Sequence, residues 1–311
     1  MFLFIDRIMD SEIENRIILL ESLIIELYIT KLREYGYVVI PNVLTDTEVD
    51  EAKTLFFKWK NSIPDLDKFH NTADPHGIFK FHQVGHQEHA WFIRTRPKII
   101  EIFKKLWKTE EVVVSFDGCC YIPKNCTKKD KLWTHTDQAP CNKGETCFQG
   151  FVALTKNDER TLIVYEKSHL LHEEYFKKKN ITDSKNWHII ESEFLNSISE
   201  NIRKVTVNSG DLVLWDSRTF HQNSYGSPNS EERLVQYVSY LPKFHSKNTK
   251  SQNEKRLKYF KELRTTSHWC YPIHVNSLQP QTYGNNDLLI DYEKLKTPDL
   301  SNYIDCILKL I

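Results

Sequence analysis

The stretch Leu132-Trp133-Thr134-His135-Thr136-Asp137-Gln138 places an imidazole and a carboxylate two positions apart in a segment flanked by β-forming residues. In an extended strand, residues i and i+2 point to the same face, so His135 and Asp137 can hold one metal ion together. The pair also occurs by chance, and a lone histidine beside aromatic residues is more often a hydrogen-bonded structural residue. Taken alone, the stretch favours that structural interpretation, and residues further along the chain decide between the two.

A second histidine, His221, follows the β-patterned run Asp211–Trp215, and Arg233 opens the next predicted strand. Two histidines and one carboxylate on one side of a metal form the facial triad of non-haem Fe(II) oxygenases, which leaves positions open for cosubstrate and dioxygen. Chance rarely produces all four residues in this order and context. The sequence therefore predicts a metal site at His135, Asp137 and His221.

Composition sets the broad class of the protein. The 311 residues are 40% hydrophobic and 12% aromatic, which suits one large domain. Lys plus Arg and Asp plus Glu are both 42, so the net charge is zero and there is no global field to hold a polyanion. We expect no nucleic-acid partner. Seven cysteines without a CxxC pair argue against a structural zinc site and favour reduced thiols in the cytoplasm.

The N-terminal stretch does not look like a targeting segment. Acidic residues follow Met1–Ile5 closely and no small-residue cleavage site is present, so we expect no signal peptide. Between residues 13 and 32, apolar residues recur at helical spacing and charges interrupt them. This predicts an amphipathic helix that cannot span a bilayer. The apolar positions are Ile13, Ile17, Leu20, Ile24 and Leu27.

From residue 112 onward the pattern changes to short β runs separated by turns. The eight predicted strands are 112–116, 132–137, 147–154, 161–165, 205–207, 211–215, 220–223 and 234–240. Eight strands of this kind predict a jelly roll of the cupin type. We expect one domain over 1–311, with a helical part to about 110, a jelly-roll core over about 111–241 and a C-terminal extension over about 242–311.

Three segments lie outside this strand pattern. Residues 171–200 are charged and are interpreted as a surface insertion, and 247–264 as a solvated helix. The histidine-rich segment 70–96 is either a substrate-facing wall or ordinary packing under a loop. A second metal at His82 and His86 is not predicted, because Gly77 and Gly85 weaken a helix there and no third ligand follows.

The chain resembles the phytanoyl-CoA dioxygenase-like family of Fe(II)/2-oxoglutarate-dependent oxygenases from about Tyr35 to Tyr240. The matching motifs are Gly36–Leu44, Trp133–Gln138, Cys147–Gly150, Ser168–His169, Gly210–Asp216 and the interval from His221 to Arg233. The resemblance implies a mainly β double-stranded β-helix (jelly roll, cupin-like) with flanking α-helices. It also implies Fe(II) as cofactor and 2-oxoglutarate as cosubstrate.

Four residues are candidate contacts of the cosubstrate. Arg233 offers a planar charged fork suited to the far carboxylate of 2-oxoglutarate, a geometry that lysine lacks; its alternative role is a surface salt bridge. Gln149 and Tyr121, on neighbouring strands, could hydrogen-bond the cosubstrate. Asn223 occupies a position two residues after the distal histidine where relatives often have a small polar residue.

The expected activity couples decarboxylation of 2-oxoglutarate, with release of succinate and CO2, to hydroxylation of a small organic substrate by dioxygen. Desaturation and ring closure use the same centre, whereas halogenation is disfavoured because Asp137 fills the position a halide needs. Two other classes stay open: a non-catalytic jelly-roll module that binds a metal or ligand, and an oxygenase acting on a macromolecule. The latter would need a basic or extended groove that the neutral composition does not indicate.

Overall fold

The computed structural model describes residues 2–73 and 76–311, and only the backbone of 2–12, 14, 15 and 71. The helices are α1 Phe2–Tyr35, α2 Asp46–Lys60, α3 Leu66–Ala73, α4 Glu88–Arg94, α5 Pro97–Trp107, α6 His172–Lys178, α7 Ser192–Ser197, α8 Lys250–Lys261 and α9 Ile304–Leu310. The strands are β1 Tyr37–Ile40, β2 Ile78–Phe79, β3 Val112–Val114, β4 Cys119–Ile122, β5 His135–Thr136, β6 Phe148–Ala153, β7 Asn157–Tyr165, β8 His188–Ile189, β9 Ile202–Val207, β10 Leu212–Asp216, β11 His221–Asn223, β12 Arg233–Val238 and β13 Tyr240–Pro242.

Two antiparallel sheets form the centre of the molecule. One has the strand order β1-β10-β6-β12-β4-β2 and the other β8-β5-β11-β7-β9. When β4 to β7 and β9 to β12 are numbered by themselves, the central strands run 6-3-8-1 in the first sheet and 2-7-4-5 in the second. This alternation between facing sheets is the jelly-roll, or double-stranded β-helix, topology, and it confirms the predicted fold class.

Alternating side chains divide the six-stranded sheet into two faces. Residues such as Phe151, Val213 and Val235 point toward the second sheet and pack with its Leu162 and Val205. The opposite face carries Val152, Leu214 and Leu234, and it packs against the helices, including Ile99, Ile102 and Phe103 of α5. The inward face therefore defines which side chains of this sheet can reach a site between the sheets.

The strand prediction was wrong in one place. Seven predicted runs correspond to β5, β6, β7, β9, β10, β11 and β12. The remaining run, 112–116, contributes β3, which pairs with β13 outside the two main sheets. The eighth core strand is instead β4, a run of four buried residues that begins with two cysteines. It is shorter than β6 and β10, which are equally buried, and it has few of the β-branched and aromatic residues that indicate a strand.

The N-terminal elements are stabilised in different ways. In α2 the side chain of Thr45 caps the helix with Glu48 as its capping-box partner, and the helix buries Val49, Ala52, Phe56 and Trp59. In α1 the side chains of Ile29 and Leu32 pack against the core, while the apolar positions from Ile13 to Leu27 are exposed. Within the described part of the chain, no helix combines the length and apolarity required to cross a bilayer.

Candidate metal centre

His135 and His221 are brought together by strand pairing. Strands β5 and β11 are antiparallel neighbours, and His135 lies directly opposite His221 in their register. Directly opposed residues point to the same face, and the two imidazole rings are 4.4 Å apart between centroids. Asp137 follows the end of β5, where its backbone N–H donates to the carbonyl of Ser217 at 3.0 Å. The fold thus collects the three predicted ligands.

The three side chains have their donor atoms turned toward one another. Oδ1 of Asp137 is 3.7 Å from Nε2 of His135, and Oδ2 is 3.3 Å from Nε2 of His221. One ligand atom from each residue lies within 4.8 Å of the others, and all three residues are buried. Among the described residues, this is the one group of three or more such side chains close enough to share an ion.

Backbone carbonyls orient both imidazoles. Nδ1 of His135 is 3.1 Å from the carbonyl oxygen of Trp133, and Nδ1 of His221 is 2.9 Å from that of Thr219. A proton on Nδ1 donates to the carbonyl and leaves the lone pair of Nε2 directed at the shared centre. Metal-binding histidines are commonly held by this second hydrogen bond.

The protonation states of His135 and Asp137 also suit metal binding. Burial lowers the pKa of His135 more than Asp137 raises it, so its imidazole is neutral near pH 7. For Asp137 burial acts to raise the pKa, but His135 and the hydrogen bond with His221 outweigh it and hold the pKa well below the ordinary value. A neutral imidazole and an ionised carboxylate are the forms that bind a divalent cation. The residues present fit Fe(II) held by two imidazoles and one carboxylate.

Gln149 contacts a metal ligand. Its Nε2 donates to Oδ2 of Asp137 at 2.9 Å, and it lies on the inward face of β6 opposite Trp215. This bond orients the carboxylate, a role that the sequence pattern did not indicate. The predicted contact of Gln149 with cosubstrate stays a prediction, and the side chain does line the cavity in front of the triad.

Arg233 opens β12 and is completely buried. None of its three guanidinium nitrogens has a hydrogen-bond partner among the described residues, and the guanidinium carbon lies 5.4 Å from the centroid of the Phe151 ring. An isolated buried charge is costly unless a counter-ion or hydrogen bonds compensate it. The position excludes the surface salt bridge considered from the sequence, and it leaves the fork available to an anionic ligand between the sheets.

The other two predicted cosubstrate contacts are placed differently. Asn223 lines the cavity and donates from Nδ2 to the hydroxyl of Tyr237 at 3.1 Å. Tyr121 belongs to the outward face of β4, where its ring packs against the helices and its hydroxyl donates to Glu232 at 2.8 Å. Because side chains alternate along β4, the structure does not bring Tyr121 to the metal cavity, contrary to the sequence-based expectation.

A cavity of about 550 Å³ opens in front of the triad. Its walls are largely aromatic: Phe79, Trp133, Trp187, Trp215, Tyr237 and Trp269. The sequence did not predict that two segments of the chain form part of the cavity wall. Residues 184–187 line the cavity although 171–200 was interpreted as surface, and the C-terminal extension contributes residues 266–269, 274 and 276. The adjacent side chains of His268 and Trp269 could have indicated the C-terminal part of the wall, since two large rings beside a cysteine suggest a buried segment.

The histidine-rich segment 70–96 combines both interpretations left open by the sequence. Ile78, Phe79 and Lys80 line the cavity, and the ring of His76 stacks on Trp133 with centroids 3.8 Å apart. Most of the other histidines are packing residues: His70, His82, His86 and His89 are buried. The segment is therefore in part a wall of the site and in part scaffold.

Comparison with known proteins places these features in a family. The family model described as Phytanoyl-CoA dioxygenase (PhyH) matches residues 32–228. A curated relative, "Ava biosynthesis cluster protein O" of Aspergillus versicolor, is 32% identical over 178 residues, which is 52% of this chain and 57% of that protein. The chain thus matches little more than half the length of this relative.

Solved structures of similar proteins are more distant. The epimerase SnoN in complex with Fe3+, alpha ketoglutarate and nogalamycin RO is 18% identical, with a TM-score of 0.49 over 71% of this chain and 84% of that chain. EctD from S. alaskensis with 2-oxoglutarate and 5-hydroxyectoine is 15% identical, with a TM-score of 0.48 over 69% of this chain and 74% of that chain. Because these scores are below 0.5, the fold assignment depends on the strand order described above.

The family match covers more than half of the chain and includes both β5 and β11, the strands that carry the two histidine ligands. The buried triad provides the donor set that a non-haem Fe(II) oxygenase uses. The chain belongs to the phytanoyl-CoA dioxygenase (PhyH) family.

Proposed function

We propose that the protein is an Fe(II)- and 2-oxoglutarate-dependent oxygenase that uses dioxygen to hydroxylate an unactivated carbon of a small organic substrate, while 2-oxoglutarate is converted to succinate and CO2. The observation that carries the proposal is the aromatic cavity of about 550 Å³ into which the triad opens. Cavities of roughly 300–1,000 Å³ accommodate small organic molecules and bury most of their surface. A protein or nucleic-acid substrate would instead require an extended groove, and the chain has no net positive charge to attract a polyanion.

The metal and cosubstrate sites are assigned to separate residues. His135, Asp137 and His221 would hold Fe(II), which together with 2-oxoglutarate supplies the oxidising chemistry when bound. Gln149 fixes the orientation of the Asp137 carboxylate by its hydrogen bond. Arg233 binds the far carboxylate of 2-oxoglutarate, since its buried guanidinium has no partner among the described residues and a bidentate anion would satisfy it.

The remaining walls exclude water and position the substrate. Trp187, Trp215 and Trp269 give the cavity an apolar surface, while polar side chains that line it include Lys80 and His268. Because residues 184–187 and 266–276 close the cavity from two sides, we propose that the helical part, the jelly roll and the C-terminal extension act as one domain. All seven cysteines are free thiols, which supports a cytoplasmic location.

A substrate screen that measures succinate tests this proposal. Purified protein with Fe(II), 2-oxoglutarate and dioxygen is offered pools of small organic molecules, and the Asp137→Ala variant serves as the control without a complete triad. We expect a subset of pools to raise succinate formation above the uncoupled background, and their products to be heavier by one oxygen atom. Stimulation only by proteins or nucleic acids would contradict the small-molecule assignment. Products lacking the added oxygen would contradict hydroxylation.

A further inference from the structure

Helix α1 carries an apolar pattern that the oxygenase site does not use. Ile13, Ile17, Leu20, Ile24 and Leu27 are separated alternately by four and three residues, which is the spacing of a heptad repeat. Leu20 and Leu27 then occupy d positions together with Ile13, and Ile17 and Ile24 occupy a positions. β-Branched residues at a with leucine at d favour two parallel strands over higher oligomers.

These five apolar side chains form a stripe along α1, here called the heptad seam, and this stripe is exposed. The five side chains are between 51% and 58% exposed, whereas Ile29 and Leu32 on another side of the same helix are buried against the domain. Ser22 accepts a hydrogen bond from Lys105 at 2.8 Å on the packed side as well. At 100° per residue, the centre of the seam lies roughly 145° around the helix from this packed side. The seam can therefore be covered without displacing the contacts that α1 makes with its own domain.

Charges beside the seam are complementary for a parallel pair. In the heptad register set by Leu20, Arg16 is at g and Glu21 is at e. In a parallel coiled coil, the g residue of one helix faces the e residue of the following heptad in the other helix. Arg16 of each copy would thus lie opposite Glu21 of the second copy, and the two-fold symmetry would form the contact twice.

We propose that α1 pairs with α1 of a second copy of this chain in a parallel two-stranded coiled coil along Ile13, Ile17, Leu20, Ile24 and Leu27. The helix is held in place before pairing, because Ile29 and Leu32 are packed and Arg33 forms an ion pair with Glu145 at 3.0 Å. Prior ordering reduces the entropy lost on association. A contiguous apolar helix surface of this size is typical of an interaction site.

Sedimentation velocity on the full-length protein tests the proposal with two neighbouring substitutions. Leu20 on the seam and Leu19 off the seam are 58% and 60% exposed, so Leu20→Glu and Leu19→Glu are matched in chemistry and exposure. We expect wild type and Leu19→Glu to sediment as dimers. Leu20→Glu should raise the dimer dissociation constant about a hundredfold or more, because two carboxylates would oppose each other in an apolar seam.

Two further sets of variants distinguish a parallel coiled coil from misfolding and from an antiparallel helix pair. Arg16→Glu should weaken the dimer and adding Glu21→Arg should restore it, a rescue that loss of folding would not show. Under mild oxidation Leu27→Cys should form a disulfide-linked dimer that the wild type does not form, since in an antiparallel pair centred on Leu20 the residue opposite Leu27 is Ile13.

Three results would overturn the proposal. The first is a monomeric wild type throughout a concentration series, and the second is equal weakening by Leu19→Glu and Leu20→Glu. The third is binding of a monomeric wild type to phosphatidylcholine–phosphatidylserine vesicles that both substitutions abolish. That result would assign the exposed helix to a lipid surface instead of a second copy.

Discussion

The side-chain amide of Gln149 donates to Oδ2 of Asp137 at 2.9 Å, and the same oxygen lies 3.3 Å from Nε2 of His221. A glutamine on the six-stranded sheet thus orients the carboxylate that follows β5 of the opposite sheet. The metal centre depends on both sheets, because the two histidine ligands lie in one sheet and Gln149 lies in the other.

The role of Gln149 can be measured as iron affinity. Gln149→Leu removes the hydrogen bond to Asp137, and loss of a partner that orients a ligand typically lowers metal affinity by about 10- to 100-fold. We expect a decrease of that size in anaerobic Fe(II) titrations. Gln236 is a matched control, because it is a buried glutamine on neighbouring β12 whose amide donates to backbone carbonyls such as that of Gly118. Gln236→Leu should leave iron affinity unchanged, and equal effects in the two variants would refute a specific role for Gln149.

Arg233 should act on the cosubstrate and not on the metal. Arg233→Lys keeps the charge but breaks a bidentate contact worth about 1.5–3 kcal/mol, which corresponds to a loss of about one to two orders of magnitude in 2-oxoglutarate affinity. Iron affinity without cosubstrate should be unchanged. Arg160, also fully buried, donates instead to the carbonyls of Tyr225 and Cys126, so Arg160→Lys is the control and should retain 2-oxoglutarate affinity. Unchanged affinity in Arg233→Lys would assign the cosubstrate carboxylate to another cation.

The substitution Tyr121→Phe tests which face of the six-stranded sheet points toward the metal cavity. Because the Tyr121 hydroxyl donates to Glu232 on the outward side of β4, Tyr121→Phe should leave the dissociation constant of 2-oxoglutarate unchanged. Isothermal titration under anaerobic conditions measures this directly. A tenfold or greater loss of affinity would mean that the hydroxyl reaches the cosubstrate, as the sequence alone suggested.

Buried histidines should make the protein sensitive to acid. His89 packs edge-on against Phe56, and burial, with a smaller contribution from Arg94, lowers its pKa to about 3. The folded state therefore leaves His89 neutral while the unfolded state takes up a proton below its ordinary pKa of 6.5. Stability from this residue is complete above pH 6.5 and is lost progressively as the pH falls toward 3.

The substitution His89→Phe should reduce the stability that the protein loses as the pH falls. Between pH 7 and pH 5 its free energy of unfolding should fall less than that of the wild type, by up to about 2 kcal/mol. Urea unfolding at the two pH values gives the difference. Exposed His245 supplies the control, and His245→Phe should show the pH dependence of the wild type. An unaltered pH dependence in His89→Phe would show that His89 does not contribute to acid sensitivity.

The metal ligands and seven of the eight core strands followed from the sequence because their signals are local. His135 and Asp137 are two residues apart, and most of the core strands are apolar runs bounded by turn residues. Strand β4 was missed because it has only four residues and two of them are cysteines, so it lacks a run of strand-forming side chains. The face occupied by Tyr121 could not be assigned before the strand itself was known.

Longer-range features depend on packing that local patterns do not encode. Trp187 and His268 reach the cavity from segments far apart in the chain, and no periodic pattern indicates that they meet. Similarly, the apolar spacing along α1 predicted an amphipathic helix, but this spacing is the same whether a domain or a second helix covers the apolar face. The structure separates these cases because the side chains from Ile17 to Leu27 on this seam are exposed.

The central claim, that His135, Asp137 and His221 form the Fe(II) site to which 2-oxoglutarate binds, is tested most directly by anaerobic titration of the protein with Fe(II) and then 2-oxoglutarate. The wild type should develop the visible metal-to-ligand absorption of the cosubstrate complex at one iron per chain. Asp137→Ala should fold but fail to develop it, since two histidines alone leave the iron without an anionic protein ligand. An absorption of wild-type intensity in Asp137→Ala, or none in the wild type, would contradict the assignment of this site.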